Sequence, residues 1–368
     1  MLVQDCHIAS EISDVRHIFK GPESSPFLAP RGVWLVEGKL LVSDTGRNRV
    51  FVWNSVPDSE HAAPDFVLGQ GEVDGTGRNR NEAVSASSLQ YPSAVWSDGK
   101  RVILADAWNH RVLIWNELTQ AAGQPADVVI GQPGFEQNEP NVDGLASEPS
   151  AQSLYWPYGL HSDGRQLWIA DTGNRRVLYY SQIPTENYAA ADKVIGKPDF
   201  QSRDFDSQAP IWPYSVRVNS RGNLIITDTQ FFRALLWRNW NRAAEMAPPD
   251  AIIGQPDIQS AGQNQFFPNP TERSLNWCYD SFFYKDGVMV LDTANSRVKW
   301  HPEFPLQNNE APAALIGPPD ATTPSENVNN IKGTDYALYW PFALCTENQT
   351  LAIADTGNHR VIINDLKI

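Results

Sequence analysis

The sequence has few of the residues from which disulfide frameworks and metal sites are made. Its 368 residues include only three cysteines, Cys6, Cys278 and Cys345, with no short spacing between them. This excludes a disulfide framework and a cysteine-based zinc motif. The seven histidines form no His-x-His and no His-x-x-x-His pair. We therefore predict no metal site, no catalytic residue and no bound cofactor.

Long apolar segments and an excess of positive charge are also missing. No run of eighteen apolar residues occurs, so no transmembrane helix is expected. The N-terminus lacks a basic segment followed by an apolar one, which predicts no signal peptide and a cytoplasmic location. The formal net charge of −14 repels phosphate backbones and anionic headgroups. We expect neither a nucleic-acid partner nor a membrane partner.

One pattern occurs six times: an apolar run, an aspartate, four residues, an arginine and a second apolar run. Clear copies read VSDTGRNRVFVW, IADTGNRRVLYY and IADTGNHRVIIN. Successive aspartates lie 62, 65, 57, 64 and 63 residues apart, so the repeats span the chain. The repeated residues are Asp44, Asp106, Asp171, Asp228, Asp292 and Asp355, with Arg49, Arg111, Arg176, Arg233, Arg297 and Arg360.

Each repeat contains four short segments that are typical of β-strands. In several copies the first segment opens with an aromatic residue and a proline, as in WPYGLH, and the last ends in glycine, as in VVIGQP. Val, Ile, Leu and aromatic residues dominate the segments, and Gly, Pro, Asn and Asp separate them. No repeat shows a sustained helical period. Four short strands per repeat predict the blade of a β-propeller.

The two ends of the chain complement each other. The last repeat stops after its third strand, RVIINDLKI, and the missing fourth strand is found near the N-terminus as RHIFKG, residues 16–21. A solenoid, the competing architecture, would need capping units at its ends. We therefore predict one all-β domain over residues 1–368, a six-bladed propeller of four-stranded blades. Residues 1–21 supply the strand that closes the last blade and removes the open edge.

The repeats resemble the NHL family, most closely in the segments Asp106-Ala-Trp-Asn-His-Arg and Asp355-Thr-Gly-Asn-His-Arg. The resemblance covers nearly the whole chain, and the fourth repeat departs from it most, with Asp228-Thr-Gln-Phe-Phe-Arg. It implies a six-bladed propeller. It does not imply one activity, because the family includes binding modules, RNA-binding domains, sensor domains and a few lyases.

The Asp/Arg pairs favour a structural role, because a pair in every blade suits a repeated turn better than a single site. Aspartate at a strand end accepts backbone N–H groups of the turn. Arginine five residues later is expected to form a bidentate pair with that carboxylate. Loss of one pair is therefore predicted to damage a blade and not to abolish a chemistry.

Aromatic residues at the starts of the innermost strands form the candidate binding site, because in a propeller these starts surround one end of the central channel. The rings either fill the channel and pack blade against blade, or wall a pocket for a planar, apolar or cationic group. In blade five a carboxylate joins them, and desolvation is expected to raise its pKa. The candidate residues are Tyr91, Trp156, Tyr158, Trp212, Tyr214, Trp277, Tyr279, Asp280, Trp340 and Phe342.

Loops of roughly twenty residues lead to the same face, and such lengths favour a role in binding. They are rich in Asn, Gln, Ser and Glu, which suits hydrogen bonding to a ligand. We expect a binding scaffold that presents the channel mouth and these loops to a protein, a peptide or a small-molecule ligand.

Two other functions are compatible with the repeat. One is a lyase or hydrolase with a metal at the channel mouth, for which the resemblance to six-bladed lyases and lactonases implies Asp280, His161 and Cys345 as ligands. The other is RNA binding, as in some NHL domains, which the acidic balance of the chain disfavours.

Overall fold

Six four-stranded antiparallel sheets surround a central channel in the computed structural model, which describes residues 12–206, 210–317, 320–323, 326–329, 333–334 and 337–368. The innermost strands of neighbouring blades contact one another around the ring, and the sixth contacts the first. The prediction of an all-β, six-bladed propeller is confirmed.

In blades one to five, four consecutive strands pair in chain order from the channel outwards. Blade one contains β2 (Gly32–Val36), β3 (Lys39–Asp44), β4 (Arg49–Trp53) and β5 (Phe66–Leu68). Blade two contains β6 (Pro92–Ser97), β7 (Val102–Asp106), β8 (Arg111–Trp115) and β9 (Val128–Ile130). Blade three contains β10 (Pro157–Ser162), β11 (Leu167–Asp171), β12 (Arg176–Tyr180) and β13 (Lys193–Ile195).

Blades four and five repeat this arrangement. Blade four contains β14 (Pro213–Val218), β15 (Leu224–Asp228), β16 (Arg233–Trp237) and β17 (Ala251–Ile253). Blade five contains β18 (Ser281–Tyr284), β19 (Gly287–Asp292), β20 (Arg297–His301) and β21 (Ala314–Ile316). The second and third strands, such as β7 and β8, are buried along their whole length, because each blade packs between two others.

The sixth blade takes its outermost strand from the beginning of the chain. It contains β22 (Ala343–Glu347), β23 (Thr350–Asp355), β24 (Arg360–Leu366) and β1 (Ser13–Phe19). Strand β1 pairs antiparallel with β24, with Phe19 opposite Val361. The closure is as predicted, although the strand begins three residues before Arg16 and ends at Phe19. Residues 1–11 of the predicted closing segment lie outside the described residues.

Helices are few and short. The only α-helix of the described residues is α1 (Trp240–Ala244), which lies between β16 and β17. None of the helices in this part of the chain is long and apolar enough to cross a membrane. The 3-10 helices are Thr45–Arg47, Arg78–Asn81, Ala107–Asn109, Leu118–Gln120, Thr172–Asn174, Thr229–Phe231, Gln263–Phe266, Thr293–Asn295, Glu326–Asn329 and Thr356–Asn358.

A 3-10 helix joins the second and third strands of every blade, between the repeated aspartate and arginine. In blade three, Asp171 Oδ1 accepts the N–H of Tyr155, which precedes the innermost strand, over 2.7 Å. Asp171 Oδ2 accepts Nε of Arg176 over 2.7 Å. Equivalent contacts occur in all six blades. Each aspartate therefore holds its turn against the start of its own innermost strand.

The arginine of each pair contacts the carboxylate through Nε alone, so the expected bidentate pair is wrong. In blade three, Nη1 of Arg176 donates to the carbonyl of Phe200 in the following loop. Nη2 donates to the carbonyls of Ser150 and Ser153 in the preceding loop, over 2.8 and 3.0 Å. One charged side chain thus uses its donors to hold a turn and two loops together.

Deletion of residues 1–21 should expose the edge of β24 and remove Phe19, whose ring lies 5.2 Å from Phe27 and 4.7 Å from Trp53 of blade one. We expect the truncated chain to aggregate or to melt well below the parent, because an unpaired strand edge is open to other chains. Thermal unfolding and size-exclusion chromatography measure both effects. Deletion of residues 1–11 is the control, since it leaves β1 in place. An unchanged melting temperature for the longer deletion would contradict the closure.

Substitution Asp171→Ala should leave the Arg176 guanidinium buried without its carboxylate. We expect the free energy of unfolding to fall by about 3–5 kcal/mol, which is the usual cost of removing one partner of a buried pair. Urea unfolding measures the change. Glu186→Ala is the control, because Glu186 is exposed in the loop between β12 and β13 of the same blade. Full stability of Asp171→Ala would refute the structural role of the pair.

Candidate binding face

The Asp/Arg turns and the long loops between blades lie on one side of the propeller, which we name the turn face. Each loop leaves an outermost strand beside the turn of its own blade. Gln132, directly after β9, donates to the carbonyls of His110 in the turn and Glu139 in the loop, over 3.1 and 2.8 Å. Gln70 and Gln255 make the equivalent bonds in blades one and four. These bonds anchor the beginning of each of the three loops.

Reciprocal asparagine pairs fasten four of the loops to the turn of the next blade. Asn79 in the first loop donates to Asn109 Oδ1 over 3.1 Å and accepts from Asn109 Nδ2 over 2.8 Å. Amides that the sequence suggested for ligand binding are therefore engaged within the protein. The other pairs are Asn141 with Asn174, Asn264 with Asn295, and Asn327 with Asn358.

Four of the predicted site residues are tryptophans that lie just before the innermost strand of a blade. Two of them contact the turn of the preceding blade through their backbone. The backbone N–H of Trp156 donates to His110 Nδ1 over 3.2 Å, and that of Trp340 donates to Ser296 Oγ over 3.3 Å. Both tryptophans have left-handed φ angles, 51° and 48°. This strained conformation directs each N–H towards the neighbouring blade.

The other two tryptophans make the same inter-blade contact through their rings. Trp277 lies edge-to-face with Phe232, with ring centres 5.2 Å apart. The Arg175 guanidinium lies over the Trp212 ring at 4.4 Å. These four predicted site residues therefore lie around the mouth and join blades, and none of them lines the space at its centre.

The aromatic residues two positions after these four tryptophans form a chain of rings around the channel mouth. Tyr158 stacks on Tyr214 at 4.8 Å, Tyr214 lies edge-to-face with Tyr279 at 4.7 Å, and Tyr279 stacks on Phe342 at 4.1 Å. Tyr91 contacts Tyr158 with centres 6.2 Å apart. These predicted site residues are brought together by the fold.

Arg31 closes this chain of rings between Phe342 and Tyr91. Its guanidinium carbon lies 3.9 Å from the ring centre of Phe342 and 5.2 Å from that of Tyr91. We name the closed set of Arg31, Tyr91, Tyr158, Tyr214, Tyr279 and Phe342 the mouth ring. Sequence reasoning missed Arg31, although the repeat alignment of APRGVW with WPYGLH places it at the position of Tyr158.

Trp108 extends the mouth ring towards solvent. Its ring stacks on Tyr91 at 4.4 Å with planes only 6° apart, and its Nε1 donates to the Tyr158 hydroxyl over 3.2 Å. The residue is 44% exposed, so a flat aromatic surface faces outwards beside the mouth. Sequence reasoning also missed Trp108, because its position within a repeated turn indicated only a structural role.

The mouth ring nearly fills the channel opening. The space within it has a volume of about 20 Å³, which is about the room that one water molecule needs. Burial raises the pKa of Tyr158 to about 12 and raises the pKa values of Tyr214 and Tyr279 as well. Their hydroxyl groups therefore remain protonated at neutral pH and can donate hydrogen bonds.

Beneath the ring, Asp280 is part of a buried ion pair and of hydrogen bonds that connect blades. Nη2 of Arg217 donates to Asp280 Oδ2 over 3.0 Å, and the same oxygen accepts the N–H of Leu344 in blade six over 3.2 Å. Arg217 also donates to the carbonyl of Leu160 in blade three over 3.0 Å. Burial raises the pKa of Asp280, as the sequence suggested, while the Arg217 guanidinium opposes the shift.

The metal ligands implied by resemblance are not assembled. Asp280 faces Arg217, and the Cys345 sulfur accepts the N–H of Leu35 over 3.4 Å. Burial raises the pKa of the Cys345 thiol to about 12. His161 is buried, and burial lowers its pKa to about 3. No three His, Cys, Asp or Glu side chains are placed to hold a metal ion in the described ranges.

Comparisons with known proteins show the fold alone. No protein family and no curated protein matches the sequence. An auxiliary nutrient binding protein from Bacteroides thetaiotaomicron is 10% identical, with 97% of this chain and 76% of that chain covered and a TM-score of 0.55. A protein of unknown function from the same organism is 13% identical, with 99% and 75% covered and a TM-score of 0.50. Virginiamycin B lyase from Staphylococcus aureus is 12% identical, with 92% and 95% covered and a TM-score of 0.43.

Substitution Asp280→Ala should leave Arg217 charged and buried without a partner. We expect a loss of about 3–5 kcal/mol in the free energy of unfolding, measured in urea. The double variant Asp280→Ala/Arg217→Met should recover much of this loss, because an apolar replacement removes the unpaired charge. If Asp280→Ala is as stable as the parent, Asp280 does not stabilise the contact between blades.

Proposed function

We propose that the protein is a binding scaffold whose turn face receives a protein, a peptide or a small ligand. The observation that carries this proposal is where the exposed apolar side chains lie. Eight of the ten large ones among the described residues belong to the turns, strand starts and loops of this face. Met246 and Leu306 lie in loops that follow third strands, on the opposite side. The eight are Leu28, Trp108, Leu145, Trp156, Phe205, Phe266, Phe267 and Tyr339.

The turn face is also organised before any partner binds. The glutamine contacts hold the beginnings of three loops, the asparagine pairs fasten four loops to the turn of the next blade, and the arginines of the turns hold loop carbonyls. Association with such a surface costs little ordering entropy, which favours affinity.

The shape of the mouth favours a surface interaction over an enclosed reaction. Pockets that enclose small-molecule ligands have volumes of about 300–1,000 Å³, whereas the mouth ring leaves about 20 Å³. A ligand would therefore lie on the ring and on its rim, against Trp108 and Trp156, which are 44% and 38% exposed.

A photo-crosslinking amino acid placed at Trp108 or at Phe266 should capture the bound molecule from a cell extract. The matched control places it at Leu306, which is 77% exposed on the opposite side. We expect capture, read by mass spectrometry, from the two turn-face positions only. Equal capture from both faces, or capture at Leu306 alone, would contradict the proposal.

The captured partner allows the rim to be tested directly. We expect Trp156→Ala and Trp340→Ala to weaken its binding by more than about 1 kcal/mol, as the loss of aromatic anchors commonly does. Trp115→Ala is the comparison, because Trp115 is 3% exposed and its loss should reduce stability by about 3–5 kcal/mol. Unchanged binding by both rim variants would remove the tryptophans from the site.

A further inference from the structure

We propose that the mouth ring binds the carboxylate of a monoanionic ligand, and that the edge of the Arg31 guanidinium recognises it. This inference rests on the proposed function, since it names the ligand chemistry of the same face. The ligand is an aromatic or apolar molecule that bears one carboxylate.

Arg31 differs from the buried arginines of the protein in having no carboxylate partner. Seven arginines of the described residues are buried, and each of them faces an aspartate. Arg31 is half-buried and forms no salt bridge with any described residue; its guanidinium stacks on Phe342 and Tyr91 and contacts the uncharged Tyr214 hydroxyl. A carboxylate from outside the chain would supply the missing charge.

The stacking that holds Arg31 leaves hydrogen-bond donors at the edge of its guanidinium, one of which contacts the Tyr214 hydroxyl. Phe342 and Tyr91 contact the flat face of the guanidinium, and such stacking does not use the N–H groups at its edge. A carboxylate matches that edge with two parallel hydrogen bonds. The stacking rings also fix the orientation of the fork, which reduces the entropy lost on binding.

A second donor stands beside Arg31. The Tyr214 hydroxyl belongs to the mouth ring and interacts electrostatically with Arg31. It is buried, and its hydrogen-bond contact is with the Arg31 guanidinium, which can only donate. The O–H itself has no acceptor among the described residues, and a ligand oxygen held by Arg31 would supply one.

The charge of the mouth favours one negative charge on the ligand. Of the ionisable groups that line it, Arg217 and Asp280 neutralise each other, and the tyrosines are protonated at neutral pH. Arg31 therefore leaves a single positive charge within a protein of net charge −14. A monoanionic carboxylate balances that charge, whereas a phosphate dianion adds repulsion.

The space available fits a small terminal group joined to a flat body. A volume of about 20 Å³ is about the room of one water molecule, so it admits a single oxygen of the carboxylate. The rest of the ligand must lie outside, where the Trp108 ring, stacked on Tyr91, offers an exposed flat surface. Benzoate has this combination of a carboxylate and a planar apolar body.

The test measures the binding of benzoate, benzamide and inorganic phosphate to the full chain by ligand-observed NMR titration. Benzamide has the shape of benzoate without its charge. We expect benzoate to bind about tenfold or more tightly than either, because a charge-assisted bond to Arg31 forms only with the carboxylate. No benzoate binding, equal binding of benzamide, or a preference for phosphate would overturn the proposal.

Variants assign the effect to the mouth ring. Arg31→Met should abolish the preference for benzoate, and Tyr214→Phe, which keeps the ring stack, should weaken it. Arg175→Met is the matched control, because Arg175 also lies over an aromatic ring on the turn face but outside the mouth. Thermal melts check the fold of each variant. If Arg31→Met is unfolded, Tyr214→Phe decides, and an unchanged preference in a folded variant overturns the proposal.

This test can fail independently of the proposed function. If crosslinkers at Trp108 capture a partner while benzoate shows no Arg31-dependent binding, the scaffold stands and the carboxylate site is wrong. If Arg31-dependent binding of benzoate is found without any captured partner, the carboxylate site stands, and the wider scaffold is reduced to a small-ligand site.

Discussion

The structure depends on a buried aspartate at the end of the second strand of every blade. Its two oxygens hold the start of the innermost strand and the arginine that follows the turn, and the arginine in turn holds two loops. An ionised pair is stable out of water only when its remaining donors and acceptors are satisfied. In blade three, Asp171 and Arg176 meet that condition with strand and loop backbone. The position of the channel mouth and the attachment of the two loops to the turn both follow from it.

Because the pairs stand at equal positions in each blade, they create six equivalent strand starts around one opening. Differences between blades at these starts then determine the chemistry of the mouth. Four blades place an aromatic ring there, and blade one places Arg31. Blade two places Ser93 there and contributes Tyr91, two positions earlier, to the ring instead. The result is a ring of π faces with one positive charge, a surface that is suited to a flat ligand with a single anionic group.

Polar residues below and around this ring form contacts within the propeller. They therefore stabilise the fold and do not present free groups to a ligand. The Arg217–Asp280 pair connects the neighbouring blades four and five beneath the ring, and the asparagine pairs connect loops with turns. Buried polar groups need such partners, and a repeat protein can supply them from the neighbouring blade. This explains why Asn and Gln side chains of these loops pair within the protein, although the length and composition of the loops are also typical of binding loops.

The six-bladed architecture could be predicted from the sequence alone, because the Asp/Arg repeat and the strand pattern are local and recur six times. Ring closure could also be predicted, because the last repeat lacks its fourth strand and the residues near Arg16 resemble that strand. Which aromatic residues contact one another is seen only in the folded protein. Trp156 and Tyr158 are two residues apart in sequence, yet one packs on the neighbouring turn and the other lines the mouth. It also revealed Arg31 and Trp108, and the partner of Asp280, because contacts between blades join residues that are distant in sequence and no local pattern encodes them.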